Sequence, residues 1–181
     1  MKIVKILTVL WSVFLGGCLA HWKYFVHDET EGVRRFPDDA IFVEGKKYVR
    51  DGVLVVPDFS GFFNNSSRLR DGGISFISKN PTVVTILRIE VFNQSSTPLT
   101  IPFNKTEQLK KHPGDSRFYF NFSHLNNIDM KLKKPLMERL AQAFNEGGFT
   151  MKLYFQVDNG EEQELTFKMR VKNARDIAWG T

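Results

Sequence analysis

Two runs near the carboxy terminus repeat with a period of two. Phe149, Met151, Leu153, Phe155 and Val157 alternate with polar or amphipathic residues, and Leu165, Phe167, Met169 and Val171 alternate with Thr166, Lys168, Arg170 and Lys172. Neighbouring side chains on a strand point to opposite faces, whereas a helix turns about 100° per residue and would scatter these positions around its surface. The pattern demands two adjacent strands with one face buried and the other wet. It also restricts their pairing. A two-residue turn at Asn159-Gly160 would set Phe155 opposite Glu164 and Leu153 opposite Thr166, one strand's apolar face against the other's polar face. A three-residue loop, Asp158-Asn159-Gly160 with Gly160 left-handed as a bulge, pairs Leu153 with Leu165 and Met151 with Phe167. The second register keeps a single core face and is the one expected.

The same signal recurs upstream. Val83, Thr85, Leu87, Ile89 and Val91 share a face in the longest alternating run, with Arg88 and Glu90 opposite. Ile41-Phe42-Val43, Tyr48 to Val56 around an Asp51-Gly52 turn signal, Ile74 with Phe76, Leu99 to Phe103, and Arg117 to Phe122 read as further strands. Residues 57–73 form a Gly/Asn/Ser-rich connection. One helix stands among them. Lys133-Lys134-Pro135 opens it, Leu136, Leu140 and Phe144 recur at i,i+4,i+8, and Gly147-Gly148 ends it. The expected fold is mainly β: a two-sheet sandwich of the immunoglobulin or fibronectin III kind, with one short helix near residues 135–146.

The amino terminus has a different character. MKIVKILTVLWSVFLGGC carries Lys2 and Lys5, then an apolar run from Ile6 to Leu15, and ends in the only cysteine, Cys18. A membrane-spanning helix needs about 20 apolar residues, so this run has the length of a secretory signal instead. Leu15-Gly16-Gly17-Cys18 resembles the lipobox of bacterial lipoproteins. The resemblance implies that the cysteine thiol receives a diacylglyceryl group, that residues 1–17 are removed, and that the new amino terminus is acylated. One acyl chain holds a membrane only marginally, at about 0.8 kcal/mol per buried CH₂, while several together anchor firmly. Residue +2 is Leu19 and not the aspartate that resembles an inner-membrane retention signal, so a Gram-negative host implies the outer membrane, facing the periplasm.

These boundaries divide the chain into a signal peptide at 1–17, a lipidated terminus and tether at 18–39, a β-sandwich domain at 40–173 and a tail at 174–181. In the tether, Trp22, Tyr24 and Phe25 beside Lys23 suit a headgroup layer. Loss of Lys2 and Lys5 lowers the formal charge from +5 to +3, too little to imply nucleic acid as a partner.

Candidate chemistry is sparse. His21 and His27 lie six residues apart, a spacing that suits neither a helical nor a strand metal pair, so no metal is expected. Ser123, His124 and Asp129 supply triad residue types without a nucleophile elbow, and His112 precedes a Pro113-Gly114 turn. Lys110, Lys111, Arg117, Lys131, Lys133 and Lys134 read as a solvated basic surface diluted by Glu107, Asp115 and Asp129. Asn64, Asn65, Asn93, Asn104 and Asn121 sit in Asn-x-Ser/Thr sequons, which would carry glycans only in a eukaryotic secreted protein.

The expectation is therefore a non-enzymatic, lipid-anchored module without a cofactor, binding another envelope protein or an envelope polymer. The alternative is a small-ligand carrier whose 57–73 loop, with Phe59, Phe62 and Phe63, closes a pocket; a hydrolase comes third. A carrier calls for a lined cavity of a few hundred cubic ångströms. A partner-binding module calls for an open strand edge or an apolar patch.

Overall fold

A computed structural model describes residues 19–33, 40–59, 73–94, 97–111, 114–122 and 128–177. Ten strands form two antiparallel sheets of five. They are β1 (Leu19–Val26), β2 (Val49–Arg50), β3 (Val53–Asp58), β4 (Gly73–Ser78), β5 (Val83–Phe92), β6 (Leu99–Gln108), β7 (Lys110–Lys111), β8 (Phe118–Phe122), β9 (Gly148–Val157) and β10 (Gln163–Ile177). One sheet has the order β1-β10-β9-β5-β6 and the other β2-β3-β4-β8-β7. Among the described residues two α-helices, α1 (Ala40–Glu44) and α2 (Met130–Glu146), and a 3₁₀ turn at Lys46–Tyr48 accompany them.

The sheets pack through aromatic side chains on their facing sides. Phe76 meets Phe155 edge-on at 5.7 Å, Phe103 meets Phe122 at 4.8 Å, and Tyr48 stacks on Phe167 at 5.1 Å. The two-sheet sandwich read from the alternation is the fold. Its first sheet keeps the wet outer face, with Thr166, Lys168 and Arg170 exposed while Leu165, Phe167 and Met169 are buried. The second sheet departs from that scheme, since β3 and β4 are buried on both faces. That matches the apolar run of β3, whereas in β4 Ser75 and Ser78 are buried along with Ile74, Phe76 and Ile77.

The carboxy-terminal hairpin adopts the expected register, Leu153 opposite Leu165 and Met151 opposite Phe167. The loop reaches it differently. The left-handed residues are Asp158 (φ 48°) and Asn159 (φ 60°), Gly160 N–H donates to Val157 O at 2.8 Å, and the extra residue is absorbed after that turn. Asp158 tolerates this backbone because both its polar groups are used: its N–H donates to Val83 O and its Oδ1 accepts from Val83 N–H. The Asp51-Gly52 turn, with φ 48° and 77°, joins β2 to β3 as read.

Five expectations are corrected. Residues 19–26 are a strand of the first sheet and no tether, paired with β10 from Leu19↔Ile177 to Val26↔Arg170, and Phe25 is fully buried and stacked on Phe144 at 4.1 Å. By the same ladder β10 runs to Ile177, so residues 174–177 of the expected tail are strand. Ile41-Phe42-Val43 is helical because only Ile41 is buried, while Val43 is 66% exposed. Along β5 a bulge between Ile86 and Arg88 switches phase. Val84 and Ile86 therefore join Ile89 and Val91 in the core, while Thr85 turns outward to Thr106. Helix α2 starts at Met130, ahead of the expected Lys133, because Asp129 caps it by accepting from Lys131 N–H at 2.9 Å. Pro135 consequently lies inside the helix, on an exposed side next to Lys134. The apolar stripe of Leu136, Leu140 and Phe144 is buried as expected, and Gly147 (φ 86°) closes the helix.

Candidate functional site

Where β1 ends, the chain folds back over the sheet. Thr30 and Glu31 N–H groups both donate to His27 O, and Val33 N–H donates to Thr30 O. Ion pairs hold this turn to its surroundings: Asp28 with Arg170, Glu31 with Lys172 at 2.6 Å, and Glu29 with Lys47 at 2.7 Å. The turn and the end of β1 form one wall of an open cleft of about 320 Å³, and Val56, Pro57 and Asp58 of β3 with Phe59 just after it form the other. Phe25, Val56 and Phe59 make its apolar floor, and Tyr24, Glu31 and Asp58 supply polar groups.

His27 and Thr30 are the buried polar residues of the cleft, and His27 is the titratable one. Its Nδ1 is hydrogen-bonded to Thr30 Oγ1 at 2.9 Å and its Nε2 to Tyr48 OH at 3.1 Å. The ring stands edge-on to Tyr48 at 4.8 Å and to Phe167 at 5.2 Å. Burial lowers its pKa below the ordinary histidine value, a shift that Glu29 partly opposes. Burial also raises the Tyr48 phenol. The Arg170 hydrogen bond lowers the Asp28 carboxyl, and the Lys47 hydrogen bond lowers that of Glu29. Both ring nitrogens of His27 are thus engaged by hydroxyls of its own fold, an arrangement that fixes the turn and shapes the cleft. The cleft has the size and mixed lining to hold a small molecule or a partner's side chain.

The sequence-derived candidates are dispersed. Cys18 lies outside the described residues, as do residues 1–17, Phe62, Phe63, His112, Ser123 and His124; His21 is in β1. Phe59 is in the core, edge-on to Phe149 at 5.5 Å, and also lines the cleft. Asp129 caps α2. Among the basic residues, Arg117 pairs with Asp115 at 2.9 Å, and the Arg117 and Tyr119 hydrogen bonds hold the Asp115 carboxyl well below the usual carboxylate range. Lys134 faces Glu138 one turn on. Asn93 is buried and donates to Arg139 O at 3.0 Å, so its sequon has no room for a glycan in the folded chain, whereas Asn104 and Asn121 are exposed.

The exposed edge strand β6 carries Pro102, a left-handed Asn104 (φ 48°), and the Lys105–Glu107 ion pair. Those are features that discourage another strand from pairing there. Val43 is the one large hydrophobic residue exposed among the described residues. Among those residues no three His, Cys, Asp or Glu converge as a metal site, and no helix is long and apolar enough to cross a membrane. The His27–Tyr48 pair escaped the sequence reading because its members are 21 residues apart and neither belongs to a motif. No protein-family model matches the chain, and no characterised protein matches it in sequence.

Proposed function

We propose that this protein is a lipid-anchored lipoprotein of the bacterial cell envelope, held through Cys18, whose sandwich is a non-catalytic binding or structural module for another envelope protein or an envelope polymer. The observation that carries the reading is the Leu15-Gly16-Gly17-Cys18 sequence at the end of a signal-like apolar run. In a Gram-negative host, Leu19 at +2 directs the protein to the outer membrane, with the sandwich in the periplasm.

A second reading is favoured by the cleft of about 320 Å³ between β1 and β3, the size expected of a small-ligand carrier. Two experiments address these readings. Wild type should take up labelled palmitate and sediment with outer-membrane markers, and Cys18→Ser should do neither. Equal labelling of both would end the lipoprotein reading, and wild type banding with inner-membrane markers would end the sorting assignment. A photocrosslinker replacing Glu31 on the cleft rim should capture a protein or polymer in intact cells. A small molecule retained by the purified protein in native mass spectrometry, with no crosslink, would favour the carrier.

A further inference from the structure

We propose that the ribbon formed by β1 and the second half of β10 is the membrane-facing end of this protein, meeting an anionic phospholipid surface, and that the β9–β10 loop is its distal end. This rests on the lipid-anchor reading of Cys18. The geometry comes from how β10 is shared. Strand β9 pairs with Gln163–Arg170 and β1 with Arg170–Ile177, so Arg170 alone is laddered on both sides. Val171 N–H still reaches Gly147 O at 2.9 Å. Beyond it, among the described residues, β1 is the only strand beside β10. Six residue steps at ~3.3 Å carry this ribbon about 20 Å past the end of β9, and the fourteen steps from Gln163 to Ile177 span about 46 Å.

The ribbon is fixed at its base. Phe25 is buried between Phe144 and Phe149, and the Asp28–Arg170 and Glu31–Lys172 ion pairs clamp the turn that follows. Among the described residues Leu19 is the outermost paired one, and Cys18 precedes it in sequence. Acyl chains on Cys18 would therefore enter the bilayer at the ribbon tip. A flexible tether of residues 18–39 would have had a reach of about 26 Å and allowed any orientation.

Charge runs the same way along β10. The paired segments 19–25 and 171–177 contain Lys23, Arg175 and Lys172, the last already paired with Glu31, against Asp176, together with Trp22 and Tyr24. The opposite end, residues 157–164, contains Asp158, Glu161, Glu162 and Glu164 and no cation of its own; Arg88 and Lys152 of the neighbouring strands pair with Glu162 and Glu164, which leaves Asp158 and Glu161 as its acidic tip. Cations and amphipathic rings favour an anionic headgroup layer, which repels the acidic loop.

Because lipid consumes the only native cysteine, a second cysteine gives a unique label site. The full-length lipidated protein carrying Asn173→Cys or Glu161→Cys, both at exposed positions, would be labelled with a fluorophore. It would then be placed in phosphatidylcholine–phosphatidylglycerol vesicles containing a headgroup-nitroxide lipid. The fluorophore at 173 should be quenched several-fold more than that at 161. Equal quenching, or stronger quenching at 161, in protein that carries palmitate overturns the ribbon orientation and leaves the anchor standing. Absence of palmitate overturns the anchor, and the orientation with it.

Discussion

Phe25→Ala separates a strand from a tether more sharply than any other single substitution. Phe25 is fully buried, stacked on Phe144 at 4.1 Å and 23° and edge-on to Phe149 at 4.9 Å. Removing a buried phenylalanine ring costs about 3–5 kcal/mol, of which each aromatic pair supplies about 0.5–1.5 kcal/mol. Against a typical stability of about 5–15 kcal/mol that is a large fraction, and for a domain of this size it lowers the melting temperature by about 2–4 °C per kcal/mol. The loss should fall near the lower end of the range if the ribbon relaxes into the space. The assay is urea unfolding of a soluble chain beginning at Leu19, followed by tryptophan fluorescence and far-ultraviolet circular dichroism. Tyr24→Ala, at a half-buried neighbour on the other face, should cost well under half as much. If Phe25→Ala unfolds within about 0.5 kcal/mol of wild type, as surface substitutions do, β1 contributes nothing to the fold and the reasoning fails.

Three further outcomes are expected. Leu153→Ala and Phe167→Ala, both fully buried, should each cost about 2–5 kcal/mol in urea melts, while Thr166→Ala and Lys168→Ala on the exposed face should cost under about 0.5 kcal/mol. Asp129→Ala removes the hydrogen bond to Lys131 N–H and should cost about 1 kcal/mol, with Asp129→Asn recovering most of it. Burial lowers the His27 pKa below its ordinary 6.5, so its contribution to stability is present above that value and declines as pH falls beneath it toward the folded-state pKa. Melts between pH 7.5 and 5 should therefore show a loss of stability that His27→Gln abolishes, whereas the lowered Asp28 and Glu29 carboxyls act only in the more acid range.

What the sequence disclosed divides along physical lines. The β9–β10 register was legible because a slip of one residue would have exposed the whole Leu165–Phe167–Met169 row, leaving one acceptable pairing. The α2 stripe was legible for a similar reason, but its start was not. Asp129 caps the helix in a stretch that reads as a polar loop, and Pro135 suggests a first turn that lies earlier. The β5 bulge left no trace, since Thr85 and Leu87 extend the alternation in the wrong phase as smoothly as Val84 and Ile86 do in the right one. Strand β1 was hidden for another reason: LAHWKYFV has no clean period, and the strand that fixes it lies about 150 residues further on. The cleft followed it into obscurity. Its walls come from β1 and β3, and His27 meets Tyr48 and Phe167 only after the sheets close.

The central claim is that residues 19–26 are a paired strand of the sandwich and not a leash. Amide hydrogen exchange of the lipidated chain, resolved to peptides covering residues 19–26, tests it most directly. Protection of that segment to the level of residues 170–177, lost together with it in Phe25→Ala, is the predicted result. Exchange of 19–26 at unprotected-chain rates while 163–170 remains protected would contradict it, returning the segment to a leash and the sandwich to a start near residue 40.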